Sequence, residues 1–394
     1  MFQRFGAAIL LVLCGIGLLV AWMPGPLPWY AFQAASFLLL AIWAVSWMAG
    51  RTEAAWSWLL LPPAGVIGWG ALQLAMGWSV YEFATRGDIL RWAAYLAVFF
   101  LSFQLFDWGR SGWFRTAFSW YALALATVSV LQYFAGNGRI YWLFEPAEPA
   151  GLGPFLNRDH YASFMALALP MTAVEMLRRP GQRWLFALMT AILYVTVVAG
   201  ASRAGFVLVT VELIFLGLVL RFSGRLALAV AGLVVVLGFV VGWDTLYERL
   251  KAPDPYAGRR EVAAATLRMI ESNPWRGSGL GTWTRVYPRY AAKDFGVFVN
   301  AAHNDWLQWA ADGGLVAAGL LLLLFAGACT LVPRVPWVLG VPMVFVHGVV
   351  DFPLQGKFLP VMVFLVLGVA TRSAKKWTKW ASERTAHGGS GSDQ

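Results

Sequence analysis

The chain has 394 residues, of which 59% are hydrophobic and only 13% charged, with 22 tryptophans and a mean hydropathy of +0.63; this is too apolar for an ordinary soluble domain. The formal net charge of +10 does not point to nucleic acid, because Lys and Arg stand singly between apolar runs and form no basic face interleaved with aromatics. Cys14 and Cys329 both lie inside apolar runs, which excludes a disulfide framework and a metal site of recognisable spacing.

Apolar runs long enough to cross a bilayer, about 20 residues each, occur near 5–22, 29–49, 54–76, 89–106, 112–134, 159–177, 183–199, 203–221, 225–243, 314–332, 336–352 and 358–372. Lipid cannot satisfy backbone N–H and C=O groups, and the alternation of barrel strands is absent, so these runs predict an all-α polytopic membrane protein of about twelve transmembrane helices. The first run follows a lone Arg4, lacks an A-x-A cleavage signal, and has bulky Leu11, Val12 and Leu13 before Cys14, so a retained span is expected. Pro62 and Pro63 are expected to kink the third helix.

Lys and Arg in the short loops set an expected orientation. With the N-terminus in the cytoplasm, Arg51, Arg110, Arg115, Arg178, Arg179, Arg183, Arg221, Arg225 and Arg334 all fall inside, as does the basic segment from Arg372 to Arg384. The segments Met23–Pro28, Gly77–Asp88, Ala135–Arg158, Gly200–Ser202, Asp244–Gly313 and Asp351–Lys357 then lie outside. The expected organisation is nine spans over 1–243, one long external loop with amphipathic helices over 244–313, three spans over 314–372, and a disordered cytoplasmic tail over 373–394.

Arginines on the outer side run against this pattern: Arg86, Arg91, Arg139, Arg158, Arg203, Arg259 and Arg260. A single one is well explained by snorkelling, but several on one face suit a phosphate or pyrophosphate, whose oxygens match the planar guanidinium fork. Arg203 is the sharpest case, in the brief polar break "VAGASRAGF" between two apolar runs. From Arg259 to Glu271, Val262, Ala263, Leu267 and Ile270 recur at helical spacing, with Arg268 and Glu271 opposite, which predicts a surface amphipathic helix stopped by Asn273-Pro274. In "GSGLGTW", Gly277, Gly279 and Gly281 read as a tight turn first and as an anion-binding backbone second.

The stretch "VNAAHNDWLQWAADGG" (299–314) gathers His303, Asn304, Asp305 and Gln308 just before an apolar run. A helix starting near Ala302 would place His303 with Leu307 and stack Asn304 over Gln308. A neutral imidazole can take a proton near physiological pH, making His303 a candidate general base, with Asp305 and His160 as the next choices. The chain has four histidines, and His160, His303 and His347 all sit near outer ends of predicted spans.

Several pieces resemble the O-antigen ligase and O-antigen polymerase superfamily of integral membrane glycosyltransferases: "TRGDILRWAAYLAVFFL" (85–101), "PFLNRDHYASFMALALP" (154–170), "GASRAGF" (200–206), "GRREVAAATLRMIESNPWRGSGLGTW" (258–283), "AHNDWLQWAADGGLVAAG" (302–319) and "HGVVDFPLQ" (347–355). The resemblance rests on their order, spacing and topology together. It implies a glycan donor on undecaprenyl pyrophosphate and an acceptor hydroxyl, either on lipid A core or on another lipid-linked repeat unit. It also implies a bacterial inner-membrane location, with both termini cytoplasmic and the active site facing the periplasm.

By motif, Arg203 and Arg259 look like pyrophosphate ligands and His303 like the residue that activates the acceptor, with Arg260 beside Arg259 leaving the register open. Arg86, Arg158, His160, Asn304, Asp305, His347 and Asp351 are implied as further donor or acceptor contacts, and Ala263 stands where relatives often carry Trp. No cofactor or metal is expected: no D-x-D triplet occurs and Met23–Pro28 holds no Asp or Glu, which also argues against a polyprenol-dependent glycosyltransferase of the kind that uses an acidic residue in its first external loop. The competing reading is a multi-spanning transporter or flippase, for which Glu175 and Glu212 would be the intramembrane charges.

Overall fold

The structure is a computed structural model that describes residues 2–106, 108–146, 152–241, 244–251 and 257–388. The chain is helical, with two isolated β-bridges and no strand among the described residues. In order the helices are α1 (Phe2–Leu19), α2 (Leu27–Met48), α3 (Leu61–Ala75), α4 (Glu82–Leu105), α5 (Trp108–Ala135), α6 (Arg158–Arg178), α7 (Arg183–Ala199), α8 (Arg203–Val219), α9 (Gly224–Val241), α10 (Asp244–Lys251), α11 (Ala257–Ser272), α12 (Trp283–Val286), α13 (Asp305–Leu331), α14 (Gly340–His347) and α15 (Phe358–Gly388). Each apolar run of the sequence forms helix at its centre. Among the described residues seven segments are long and apolar enough to cross a membrane, a smaller number than the expected twelve. The helices of several remaining runs are too short by that measure, such as Gln3–Leu19 and Pro336–His347.

The packing fits a multi-pass membrane protein. On α1, Phe5, Ile9, Val12 and Ile16 follow one another at helical spacing and are all exposed, a stripe that water would not tolerate and lipid would. At the centre stands α6, whose residues from Tyr161 to Met176 are all buried, packed by α5, α7, α8 and α14. Pro62 and Pro63 do not kink α3: they occupy its first turn after a 3-10 turn at Trp58–Leu60, where a missing N–H costs nothing and the fixed φ favours the helix.

The segment between α9 and α13 builds its own small core. Val262, Ala265 and Met269 of α11 pack on Trp283, Val286 and Tyr287, and the Trp283 ring N–H donates to Thr266 Oγ1 (3.2 Å). Leu267 is not on the buried face; it is exposed beside Arg268, because the inward stripe runs through 262, 265, 266 and 269.

The turn "GSGLGTW" is a packing joint. The amides of Ser278 and Gly279 donate to the carbonyls of Ala311 and Asp312, and that of Leu280 to Gln73 Oε1, so they serve the protein and not an anion. Opposite the joint α13 bends at Gly314 (φ 67°, ψ −177°), where an added Cβ would lie 2.1 Å from the Trp275 carbonyl oxygen. Gly314→Ala is therefore expected to cost about 3 kcal/mol, from left-handed backbone and overpacking together. A lowered unfolding midpoint of the purified protein in detergent checks this; an unchanged midpoint contradicts it.

α15 runs on to Gly388, through the first part of the segment expected as a disordered tail; residues 389–394 lie outside the described residues. The segments expected outside meet at one end of the bundle: Met23, Pro28, Asn157, Asn300 and Lys357 line one cleft there. Arg115, Arg178 and Arg334, expected inside, share a pocket at the other end.

Candidate active site

Two helix starts are tied together at the first end. Asn157 caps α6, its side chain accepting from the Asp159 N–H (2.8 Å), so Arg158, Asp159 and His160 form the first turn. Ser202 caps α8 by accepting from the Gly205 N–H (3.0 Å), and its hydroxyl donates to Asp159 Oδ1 (2.6 Å). Arg203 follows as the first residue of α8.

α11 delivers Arg259 to the same place. Its guanidinium donates to the Val350 carbonyl (2.6 Å), lies 3.2 Å from Asp159 Oδ2 and 3.5 Å from Asp351 Oδ1, and stays 30% exposed. Arg260, one helical step of about 100° further round, is exposed. Of the two, Arg259 is the arginine placed against Asp159 and Asp351 among the described residues.

Asp351 is the hub. It lies just beyond the end of α14, its side chain is fully buried, and its backbone N–H donates to the His347 carbonyl (3.0 Å). His160 Nε2 is 3.8 Å from its Oδ2 and His303 Nδ1 is 3.7 Å from its Oδ1, ion-pair distances that a small shift would turn into hydrogen bonds. Phe352 meets both imidazoles edge to face, with centroids at 4.8 and 4.9 Å. His347 approaches from α14, its Nδ1 2.7 Å from Ser163 Oγ. Burial alone would raise the Asp351 carboxyl, but His303, His160, His347 and Arg259 outweigh it and hold it below the ordinary carboxylate value, so it stays ionised.

Three of the four histidines and Arg259 therefore converge on one carboxylate. Several buried atoms there, among them His303 Nδ1, His160 Nε2 and both Asp351 oxygens, make no direct hydrogen bond among the described residues. Unsatisfied polar atoms in such density are unusual in a structural core and common where a ligand completes the site.

Asn304, Asp305 and Gln308 make hydrogen bonds that fix the backbone around the cluster. The helix does not begin near Ala302: Asn304 is the cap, accepting from the Leu307 N–H (2.9 Å), because its short amide suits an extended cap position. His303 precedes the helix in left-handed backbone (φ 52°), an uncommon state for a non-glycine residue. Asn304 Nδ2 also donates to the Val349 carbonyl (2.7 Å), and Gln308 Oε1 accepts from the Ala302 N–H (2.9 Å), so the two amides do not stack. Buried Asp305 clamps the Asp351 turn: its N–H donates to the Gly348 carbonyl (2.7 Å) and its Oδ2 accepts from the Leu354 N–H (3.0 Å). From α4, Arg91 pairs with Asp88 and donates to the Gln355 carbonyl (3.1 Å), bracing the same turn from below.

Arg86 is not brought into the cluster; it is exposed near the start of α4 and paired with Glu82 one turn before it (2.7 Å). Arg158 sits beside Asp159 on α6, partly exposed. Asp159 was not singled out in the sequence, although it stands between Arg158 and His160 in a motif that was. A cleft of about 310 Å³ opens beside His160 and Phe352, with Asn157 and Asn300 on its polar side and Leu18, Trp29 and Phe358 on its apolar side.

None of the curated proteins compared matches the chain. A family model described as O-Antigen ligase does match, over residues 185–324, a segment that includes Arg203, Arg259 and His303 and stops short of Asp351. Those three residues meet or border one carboxylate cluster at one end of a membrane bundle, and the segment that carries them, residues 185–324, is similar to the O-antigen ligase family.

Proposed function

We propose that the Asp351-centred cluster is the active site of a glycosyltransferase that moves a glycan from an undecaprenyl-pyrophosphate donor to an acceptor hydroxyl at the periplasmic face of the inner membrane. The observation that carries this reading is the meeting of His303 and Arg259 on one buried carboxylate. With Asp351 facing Nδ1 of His303, that nitrogen is favoured as the protonated one, leaving Nε2 to accept a proton, the logic of an oriented histidine base. The acceptor oxygen bonds to the anomeric carbon as the bond from that carbon to pyrophosphate breaks. The hydroxyl proton passes to His303 and the electron pair leaves with undecaprenyl pyrophosphate. One in-line displacement inverts the anomeric centre.

Arg259, with Arg203 at the neighbouring helix start, supplies positive charge to the leaving pyrophosphate. Asp159 and Asp351 hold Arg259 in place until phosphate oxygens compete for it. The mixed cleft beside His160 has polar groups for a sugar and apolar walls for the adjoining lipid.

The acceptor is lipid A core or a second lipid-linked repeat unit. Transfer is tested with purified protein in liposomes supplied with lipid-linked donor and each acceptor in turn; donor consumption with neither would overturn the assignment to transfer. With arginines carrying the leaving-group charge, turnover is expected to be the same with and without EDTA. Activity lost to EDTA and restored by a divalent ion would contradict this.

A further inference from the structure

About 25 Å along α6 from His160, at a 1.5 Å rise per residue, the structure holds a second cluster of charge. A pocket of about 320 Å³ is lined by Ser111, Arg115, Arg178, Arg334, Trp337 and Ser373. Arg115 is only 5% exposed and is fixed on three sides: its Nε donates to Glu175 Oε1 (2.7 Å), its Nη1 lies 3.5 Å from Ser111 Oγ, and its guanidinium stands over the Trp337 ring at 5.8 Å. Glu175 Oε2 accepts from Arg179 Nε (2.6 Å), so both oxygens of this carboxylate are committed.

Among the described residues no carboxylate pairs with Arg178 or Arg334, and both side chains line the pocket. Arg115 and Arg179 thus share one carboxylate, Glu175, while Arg178 and Arg334 add their charge to the pocket lining. A buried, immobilised arginine with two further cations at the pocket mouth is a preorganised anion site, and the guanidinium fork favours phosphate oxygens. The remaining walls are apolar, including Val174, Leu220 and Val335, as a site between membrane helices would need for the glycerol and acyl portion of a lipid.

We propose that this pocket, at the end of the bundle opposite the histidine cluster, binds a phosphate-bearing group: the headgroup of an anionic phospholipid or a free phosphate. Arg115 and Trp337 form its floor, and Arg178 and Arg334 close on the phosphate from the rim. It is independent of the glycosyl-transfer site, sharing only α6 with it.

The test uses the purified full-length chain in neutral detergent, titrated with dioctanoyl phosphatidylglycerol, dioctanoyl phosphatidylcholine and inorganic phosphate, with binding read by microscale thermophoresis. Saturable binding of phosphatidylglycerol but not phosphatidylcholine is expected. The double variant Arg178→Gln/Arg334→Gln, both exposed positions that leave the Arg115–Glu175 pair intact, should weaken it by about 30-fold, the scale for two basic residues at a lipid headgroup. Arg259→Gln, at the other end, should leave it unchanged. Inorganic phosphate that displaces the lipid and shows the same dependence on Arg178 and Arg334 identifies a free phosphate as the occupant; failure to displace it identifies the headgroup. If neither probe binds saturably, or if the double variant binds as tightly as the wild type, or if Arg259→Gln is the variant that loses binding, the pocket is not a phosphate site.

Discussion

His303→Ala is expected to lower glycan transfer by roughly 10²-fold or more, the usual scale for removing a positioned general base, while donor affinity stays near the wild-type value. The separation follows from the proposed roles: the imidazole faces Asp351 (3.7 Å), whereas the charge proposed to meet pyrophosphate lies on Arg259. Because His303 adopts φ 52°, alanine also perturbs a left-handed position. His303→Asn is the informative companion, since asparagine tolerates that backbone and cannot serve as the base. Both variants should lose transfer alike. Asparagine restoring transfer would make the backbone and not the proton transfer the function of this position. Loss of donor binding in both would make the imidazole a pyrophosphate ligand and send the search for the base to His160.

Arg259→Ala is expected to lower transfer by roughly 10³-fold, the scale for removing a group that stabilises developing leaving-group charge, and to weaken donor binding with it. Arg259→Lys should rescue only a fraction. An ammonium is a point charge and cannot span the Val350 carbonyl, Asp159 and a phosphate oxygen together, as the guanidinium fork can. Arg203→Ala should behave like Arg259→Ala, whereas Arg260→Ala, on an exposed face, should keep most of its activity. The measurements are donor affinity and transfer rate on purified protein, with membrane levels confirming that each variant folds. Wild-type transfer by Arg259→Ala would remove it from the site. Transfer lost only in Arg260→Ala would reverse the register.

What the sequence determined by itself is what local patterns carry. Apolar runs near the bilayer thickness forced helices, because lipid offers backbone groups no other partner, and the runs fall on helices from α1 to α15. The spacing of Val262 and Ile270 and the stop at Asn273-Pro274 read as the amphipathic α11, which ends at Ser272. Three histidines near run ends marked one end of the bundle, since chain connectivity alone dictates which ends of antiparallel helices lie together.

The tertiary structure decided everything that rests on distant partners. Arg259 finds Asp159 100 residues away, and Asp305 fixes the turn of Leu354 49 residues on, pairings no local window contains. Whether Pro62-Pro63 kinks a helix or starts one depended on where the preceding chain turned. His303 left the helix because Asn304 made the better cap, and Arg259 rather than Arg260 faces the carboxylates because the inward stripe of α11 was set by packing against Trp283. Composition and periodicity specify which surface of a segment must avoid water, but the residue that meets a buried charge is chosen by the three-dimensional packing of segments far apart in the chain.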